Sequence, residues 1–280
     1  MRQFISKEFP DKKGLLRICG KDFRYLRQVL RLKSGDMLSV RFSDGTLQNT
    51  TVCNVDENSR EIVLQICGKS ENPENQDVTR GTKAEEIQNS CPEIEYFLFQ
   101  YIAKPVKMEQ IIRQATECGV KYIIPVCGEF SQKQNILSMQ HSKKERIERI
   151  VREARQQSGS PVETEILEPN STENAISFWK EKKSSLSADE KSVAVVLWER
   201  NEKTVSLKKI FQSESEKENK NAEKIKKVAI VVGCEGGISP DEINLLLSAG
   251  FNAIHFPGNI LRCETAALYG IAAVQSALNQ

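Results

Sequence analysis

From residue 95 onward, segments of strand length alternate with helical patterns, and this alternation constrains the fold most. The segment YFLFQYIA is an apolar strand, and Pro105 suits the first turn of the helix after it. Apolar residues recur at helical spacing over 108–115, and Gly119 fits the end of that helix. Strands that alternate with helices favour an α/β fold with a largely parallel sheet. Further strands are predicted at 120–126, 193–198, 227–232 and 251–256.

The residues before this region have a different pattern. Over 1–70, short apolar runs are separated by turn signals such as Ser34-Gly35-Asp36, which predicts a small β-rich domain. A basic amphipathic helix is predicted around 21–32. Residues 71–93 are mostly acidic or polar and have no apolar period. We therefore predict a linker there and a second domain over 94–280.

The cysteines and histidines show no metal-binding pattern. Eight cysteines form no CxxC pair, and the only two histidines, His141 and His255, are far apart in sequence. Structural zinc sites use closely spaced ligands, so we predict no metal. No segment approaches the ~18 apolar residues of a membrane helix. These features predict a protein with reduced thiols in the cytoplasm and no membrane partner.

Two glycine-bearing loops follow the last two predicted strands. The first, GCEGG at 233–237, follows the strand at 227–232, and its spacing is neither GxGxxG nor GxxxxGK[ST]. Behind it, Ser239 and Glu242 have the spacing of a capping box around Pro240, which predicts the start of a helix. A single glycine loop of this kind is more often a tight turn than a ligand site.

The second loop makes a ligand site the better interpretation. The segment PGNILRCET at 257–265 follows the strand at 251–256 and leads into a helix rich in alanine and glycine. Because parallel strands bring their carboxyl ends to one edge of the sheet, two such loops form a ligand crevice.

These two loops also carry a family resemblance. GCEGGISPDE followed by FPGNILRCETAAL resembles the motifs of the RsmE family of 16S ribosomal RNA uracil-N3 methyltransferases, which belongs to the SPOUT group. KPVKMEQIIRQATECGVKYIIPV, REARQQSG and FRYLRQVLRLKSGD resemble further segments, so the resemblance covers nearly the whole chain. The chain departs from the family in three places. Cys234 replaces a proline, Tyr25 replaces a common histidine, and the segment around Phe130 lacks an arginine.

The resemblance implies S-adenosylmethionine as the methyl donor and N3 of a specific uridine in 16S rRNA of the small ribosomal subunit as the acceptor. It also implies a homodimer, a PUA-like RNA-binding β-barrel over 1–70, and a SPOUT domain over 94–280 with a trefoil knot at about 195–280. The cofactor-binding residues that it implies lie in both loops and at the end of an earlier strand: Leu197, Trp198, Glu199, Gly233, Glu235, Gly236, Gly237, Phe256, Pro257, Gly258, Asn259, Ile260, Leu261, Thr265 and Ala266.

The two catalytic candidates, Arg262 and Glu235, also lie in these loops. Arg262 is the first choice for stabilising a uridine anion, since its charge is permanent and its donors are planar; the alternative is a salt bridge to Glu264 or Glu235. Glu235 itself could act as a base, as a ligand of the cofactor amino group, or as a carboxylate that stabilises the loop. Thr265 could cap the last helix or contact the cofactor.

Arg2 and basic residues on two predicted helices, around 21–32 and 143–157, are the candidates for RNA contact, although charge runs are commonly just solvated faces. A second hypothesis is a non-catalytic rRNA-binding ribosome assembly factor, and a third is a small-molecule enzyme of another α/β type. Intact glycines in both loops argue against the second hypothesis, and the basic N-terminal domain argues against the third. The RNA-binding candidates are Arg2, Arg24, Arg27, Arg31, Arg149 and Arg152.

Overall fold

The computed structural model describes residues 3–67, 93–140, 144–200, 204–212 and 224–278. Arg2 and all of the expected linker except its last residue lie outside these ranges. The chain divides into two compact units. One comprises Met1–Cys91 with Arg155–Pro161, and the other comprises Pro92–Ala154 with Val162–Gln280.

The first unit contains a five-stranded sheet in the order β1-β3-β4-β5-β2. β1 pairs with β3 in parallel, and the other pairs are antiparallel. A short helix, α1, continues into a π-helical turn, Tyr25–Val29, and its Phe23 and Leu26 are buried. The strand and helix bounds are β1 Gln3–Ile5, β2 Leu15–Cys19, α1 Gly20–Arg24, β3 Met37–Arg41, β4 Leu47–Asp56 and β5 Glu61–Ile66.

The second unit contains a six-stranded sheet in the order β11-β9-β10-β6-β7-β8, in which every pair is parallel. The predicted α/β class is therefore confirmed. The strands are β6 Glu95–Tyr101, β7 Tyr122–Val126, β8 Glu165–Ile166, β9 Glu190–Leu197, β10 Lys224–Val232 and β11 Asn252–Ile254. The helices are α2 Pro105–Glu117, α3 Lys133–Gln140, α4 Lys144–Ser158, α5 Thr172–Ser184, α6 Leu207–Gln212, α7 Pro240–Ser248 and α8 Cys263–Leu278. The last four residues of α4 belong to the first unit.

Burial explains why these segments form the sheet. Residues 228–232 of β10 are all at most 1% exposed, as expected for an inner strand of a parallel sheet that is covered on both faces. Edge-on contacts of Trp179 on α5 with Phe97 and Phe99 on β6 fill the space beneath one face. Hydrophobic burial of this continuous core supplies the main stabilisation of the unit.

Local signals set the helix ends that surround the sheet edge. Ser239 and Glu242 form the predicted capping box of α7, with Pro240 at its first position. Pro105 begins α2, and Gly119 follows its end with φ +75°. Because β11, β9 and β10 are neighbours and run parallel, the residues that follow all three strands lie at one edge.

Candidate active site

A cavity of about 290 Å³ lies at the carboxyl ends of β9, β10 and β11, beside the start of α8. Thirteen of the fifteen residues predicted for cofactor binding line it, whereas Pro257 and Thr265 do not. Thr265 is an exposed residue in the first turn of α8, so it does not occupy the capping position before that helix. Six further residues, which the sequence did not indicate, also line the cavity: Val232, Cys234, Ile238, Ile254, His255 and Cys263.

The loop after β10 folds back on itself. The Gly237 N–H donates to the Cys234 carbonyl over 3.0 Å, and Gly237 has φ +80°. A Cβ added to Gly233 would lie 2.8 Å from the carbonyl carbon of Gly237 and 2.9 Å from its Cα. Only glycine fits at position 233, because the neighbouring atoms belong to the backbone and cannot rotate away.

The residues that follow β9 form another wall and are held to the β11 side. The Trp198 N–H donates to the Ile254 carbonyl over 3.0 Å, and Nδ1 of His255 lies 3.2 Å from the Trp198 carbonyl oxygen. The Glu199 carboxylate faces Gly237, where an added Cβ would lie 3.3 Å from Oε1. This places a carboxylate between the β9 and β10 loops.

A lysine that the sequence did not indicate joins the first glycine-bearing loop to the start of α8, just beyond the second loop. Lys107 Nζ on α2 lies 3.0 Å from Glu264 Oε2 on α8 and 3.7 Å from Glu235 Oε1. The Lys104 N–H also donates to Glu235 Oε1 over 3.2 Å. These contacts are those of a loop-stabilising carboxylate, one of the three roles considered for Glu235.

The pKa values of Lys107 and Glu264 shift in the directions expected for paired groups. The hydrogen bond to Glu264 raises the pKa of Lys107. Burial acts to raise the pKa of Glu264. Hydrogen bonds from its own N–H, Lys107 and Cys263, together with the Lys107 charge, outweigh burial and lower the pKa. Both shifts favour the ionised forms of Lys107 and Glu264.

Arg262 is exposed and stands between Leu261 and Cys263, both of which line the cavity. The salt bridge considered for it is not present, because Glu235 and Glu264 both pair with Lys107. No ion pair among the described residues involves the Arg262 guanidinium. Arg262 is thus an exposed permanent cation that is adjacent in sequence to two residues of the cavity wall.

The capping-box carboxylate connects a further loop to the site. Glu242 Oε1 accepts hydrogen bonds from the Glu129 N–H and from Thr172 Oγ1, each over 3.1 Å. Next to Glu129, the Phe130 side chain lies against Gly236. Glu242 therefore fixes α7 and also the loop that packs on the glycine-rich turn.

The RNA-binding candidates differ in exposure and in whether their guanidinium groups already have a protein partner. Arg24 and Arg31 are exposed, whereas Arg27 is bonded to the Glu57 carboxylate, with its Nε 2.8 Å from Oε1, and to the Leu32 carbonyl. Arg149 lies 3.9 Å from Glu153, and Arg152 is half-buried and has a partner. Arg2 lies outside the described residues. Arg24 and Arg31 are the strongest candidates of the set.

Within the described ranges, no three or more His, Cys, Asp or Glu side chains are grouped so as to hold a metal ion. None of the helices described has the length and apolar character needed to cross a bilayer.

Cys263 at the cavity wall is expected to resist alkylation. Burial first, and then its hydrogen bond to Glu264, raise the pKa of this thiol to about 12. Because the thiolate is the reactive form, we expect iodoacetamide at pH 8 to label Cys263 at least about 100-fold more slowly than the exposed Cys53. Mass spectrometry of the labelled peptides measures both rates, and equal rates would contradict the buried position.

The second unit matches the sequence pattern of a known protein family. The model of the RNA methyltransferase domain family matches residues 90–275. Ribosomal RNA small subunit methyltransferase E of Aquifex aeolicus is 30% identical over 186 residues, which are 65% of this chain and 69% of that protein. The protein of the same name from Rickettsia conorii is 29% identical over 275 residues, covering 98% and 94% of the two chains.

Solved structures agree on the fold. The crystal structure of ribosomal RNA small subunit methyltransferase E from Neisseria gonorrhoeae, bound to S-adenosyl methionine, superposes with a TM-score of 0.68. It has 19% sequence identity and covers 99% of this chain and 97% of that one. The chain therefore belongs to the RNA methyltransferase family, among the relatives of ribosomal RNA small subunit methyltransferase E.

Proposed function

We propose that this protein transfers a methyl group from S-adenosylmethionine to N3 of a specific uridine in the 16S rRNA of the small ribosomal subunit. The observation that carries the proposal is the cavity built from two glycine-bearing loops at the carboxyl ends of β10 and β11. Family membership supports RNA methylation, and the names of the relatives support the small-subunit rRNA as substrate.

The residues around the cavity suit this cofactor. Apolar side chains such as Leu197, Ile238 and Phe256 offer surfaces for an adenine ring. Glu199 and Glu235 supply carboxylates that can accept hydrogen bonds from hydroxyl or amino groups. The tight Gly233–Gly237 turn leaves room for a ligand close to the backbone. We assign cofactor binding to the fifteen residues predicted from the sequence. Pro257 and Thr265 have the least support, because they do not line the cavity.

Methyl transfer to uridine N3 has two requirements that the protein must meet. When bound, the cofactor supplies a methyl group on a positively charged sulfur, and the acceptor nitrogen must be held in line with it. Uridine N3 carries a proton at neutral pH, so the site must also favour its loss and spread the negative charge over the flanking carbonyl oxygens. We assign the stabilisation of that charge to Arg262, an exposed cation adjacent in sequence to two residues that line the cavity. Glu235 is held by Lys104 and Lys107 and faces the cavity.

Cofactor binding distinguishes a methyltransferase from the alternative, a non-catalytic rRNA-binding assembly factor. Titration calorimetry with S-adenosylmethionine is expected to show one site per chain. A chain that binds small subunits but not the cofactor would instead be an assembly factor on the same scaffold. The intact Gly233–Gly237 turn favours the enzyme.

We extend the proposal to the domains. Residues 1–70 form a PUA-like RNA-binding domain, and 94–280 form a SPOUT domain knotted at about 195–280. The five-stranded sheet of the first unit and the parallel sheet of the second are compatible with this assignment. All seven cysteines of the described part are free thiols, which suits a protein that works in the cytoplasm.

Arg24 and Arg31 are expected to contact rRNA phosphates. The logarithm of the affinity for small subunits falls linearly with the logarithm of the salt concentration. Each substitution to alanine should make this line shallower by about 1, because one fewer counterion is released. Filter binding from low to high salt measures the slope, with exposed Lys180→Ala on α5 as the control. Unchanged slopes in both arginine variants would exclude the basic segment 24–31 from the RNA interface.

The proposal includes a homodimer. Exposed apolar side chains at the cavity rim and on α8 support it, with Ile260 86% and Tyr269 50% exposed. Sedimentation at micromolar concentration should give twice the chain mass of 31.6 kDa. A species with the mass of one chain would exclude the dimer, and Tyr269→Glu should produce that species if α8 forms the contact.

A further inference from the structure

We propose that Lys107 is a positioning residue that holds the two glycine-bearing loops at the separation needed for cofactor binding, by pairing with Glu235 on one loop and Glu264 beyond the other. The inference rests on the proposed function, because its readout is affinity for S-adenosylmethionine.

The cluster joins three separate segments. Lys107 lies on α2, which follows β6, and Glu235 lies in the loop after β10, the neighbouring strand. Glu264 is the second residue of α8, just beyond the loop that follows β11. One ammonium group, 3.0 Å from Glu264 Oε2 and 3.7 Å from Glu235 Oε1, therefore connects the two sides of the cavity.

Burial makes this pairing stronger than an ordinary surface ion pair. The Lys107, Glu235 and Glu264 side chains are 24%, 33% and 13% exposed. Without the lysine, two carboxylates would face each other with little water around Glu264, and their repulsion would push the loops apart. The cation therefore sets the distance between the loops as well as stabilising them.

A second tether between the same two helices provides a matched control. At the far end of α8, Gln275 Nε2 donates to the Cys118 carbonyl, just beyond the end of α2, over 2.8 Å. Loss of this bond should lower the melting temperature without changing the cavity. Lys107 and Gln275 thus both tie α8 to the α2 region, but only Lys107 reaches the cofactor loops.

The test compares Lys107→Gln, Lys107→Arg and Gln275→Ala by calorimetric titration with S-adenosylmethionine and by thermal melting. We expect Lys107→Gln to weaken binding at least about tenfold, and Lys107→Arg to stay within about threefold because it restores the charge. Gln275→Ala should bind with wild-type affinity despite a lower melting temperature. Wild-type affinity in Lys107→Gln, or equal weakening in Gln275→Ala, would overturn the proposal.

A cycle with Glu264→Gln provides a second test, which also serves if Lys107→Gln does not fold. Glu264→Gln alone should weaken binding by a similar factor, and the double variant should be no worse than the weaker single one. Wild-type affinity in Glu264→Gln, or fold-changes that multiply, would overturn the pairing. If the wild-type protein does not bind the cofactor, the proposed function fails and this inference fails with it.

Discussion

Gly233→Ala is expected to weaken S-adenosylmethionine binding about 100-fold. The added Cβ would lie 2.8 to 3.0 Å from three backbone atoms of Gly237, so the turn must open to admit it. Overpacking of this kind typically costs 1–3 kcal/mol, and about 2.7 kcal/mol corresponds to a factor of 100 in affinity. Because the turn lines the cavity, the opened loop should displace the backbone atoms that contact the ligand.

The control for this substitution is Gly45→Ala in the turn between β3 and β4. Gly45 has φ +86°, and an added Cβ would meet no atom within 4 Å, so the substitution strains the backbone at a residue of the first unit that does not line the cavity. Both variants should be less stable in denaturant titrations, and only Gly233→Ala should lose cofactor affinity. Wild-type affinity in Gly233→Ala would show that this turn is not part of the cofactor site.

Arg262→Ala is expected to lower kcat by roughly 100- to 1000-fold, the usual effect of removing a group that stabilises developing negative charge. Arg262 is exposed and does not line the cavity, so the dissociation constant for S-adenosylmethionine should change less than about threefold. Methyl-transfer kinetics with small subunits, combined with calorimetry, separate the two quantities.

Two further variants sharpen that experiment. Arg262→Lys keeps the charge but loses the planar pair of donors, so its activity should be intermediate. Arg113→Ala, which removes an exposed arginine on α2, should have the wild-type rate. Wild-type kcat in Arg262→Ala would exclude a catalytic role for this residue.

The sequence predicted the features that depend on neighbouring residues. The first helix of the second unit, the capping box at Ser239 and Glu242, and the α/β class were all confirmed. Each follows from local spacing, such as proline at a first turn or apolar residues at helical intervals. The two loops were located in the same way, because each directly follows a buried strand.

The features that the sequence did not predict depend on strand order. Lys107 reaches Glu235 only because β6 lies next to β10, and the sequence does not indicate that pairing. The pairing of Arg27 with Glu57 likewise depends on contacts between distant segments of the first unit.

β1 and β8 were missed because strands of three and two residues show no period. The available clue to the ion pairs was Lys107 itself, a basic residue in the first turn of a predicted helix that follows a buried strand.

The most direct test of the account is methyl transfer from labelled S-adenosylmethionine to small ribosomal subunits that lack the modification, followed by nuclease mapping of the product. We expect one methyl group per subunit, at N3 of a single uridine in 16S rRNA. Tight binding to the subunit without transfer, or a methyl group on another base or atom, would contradict the account.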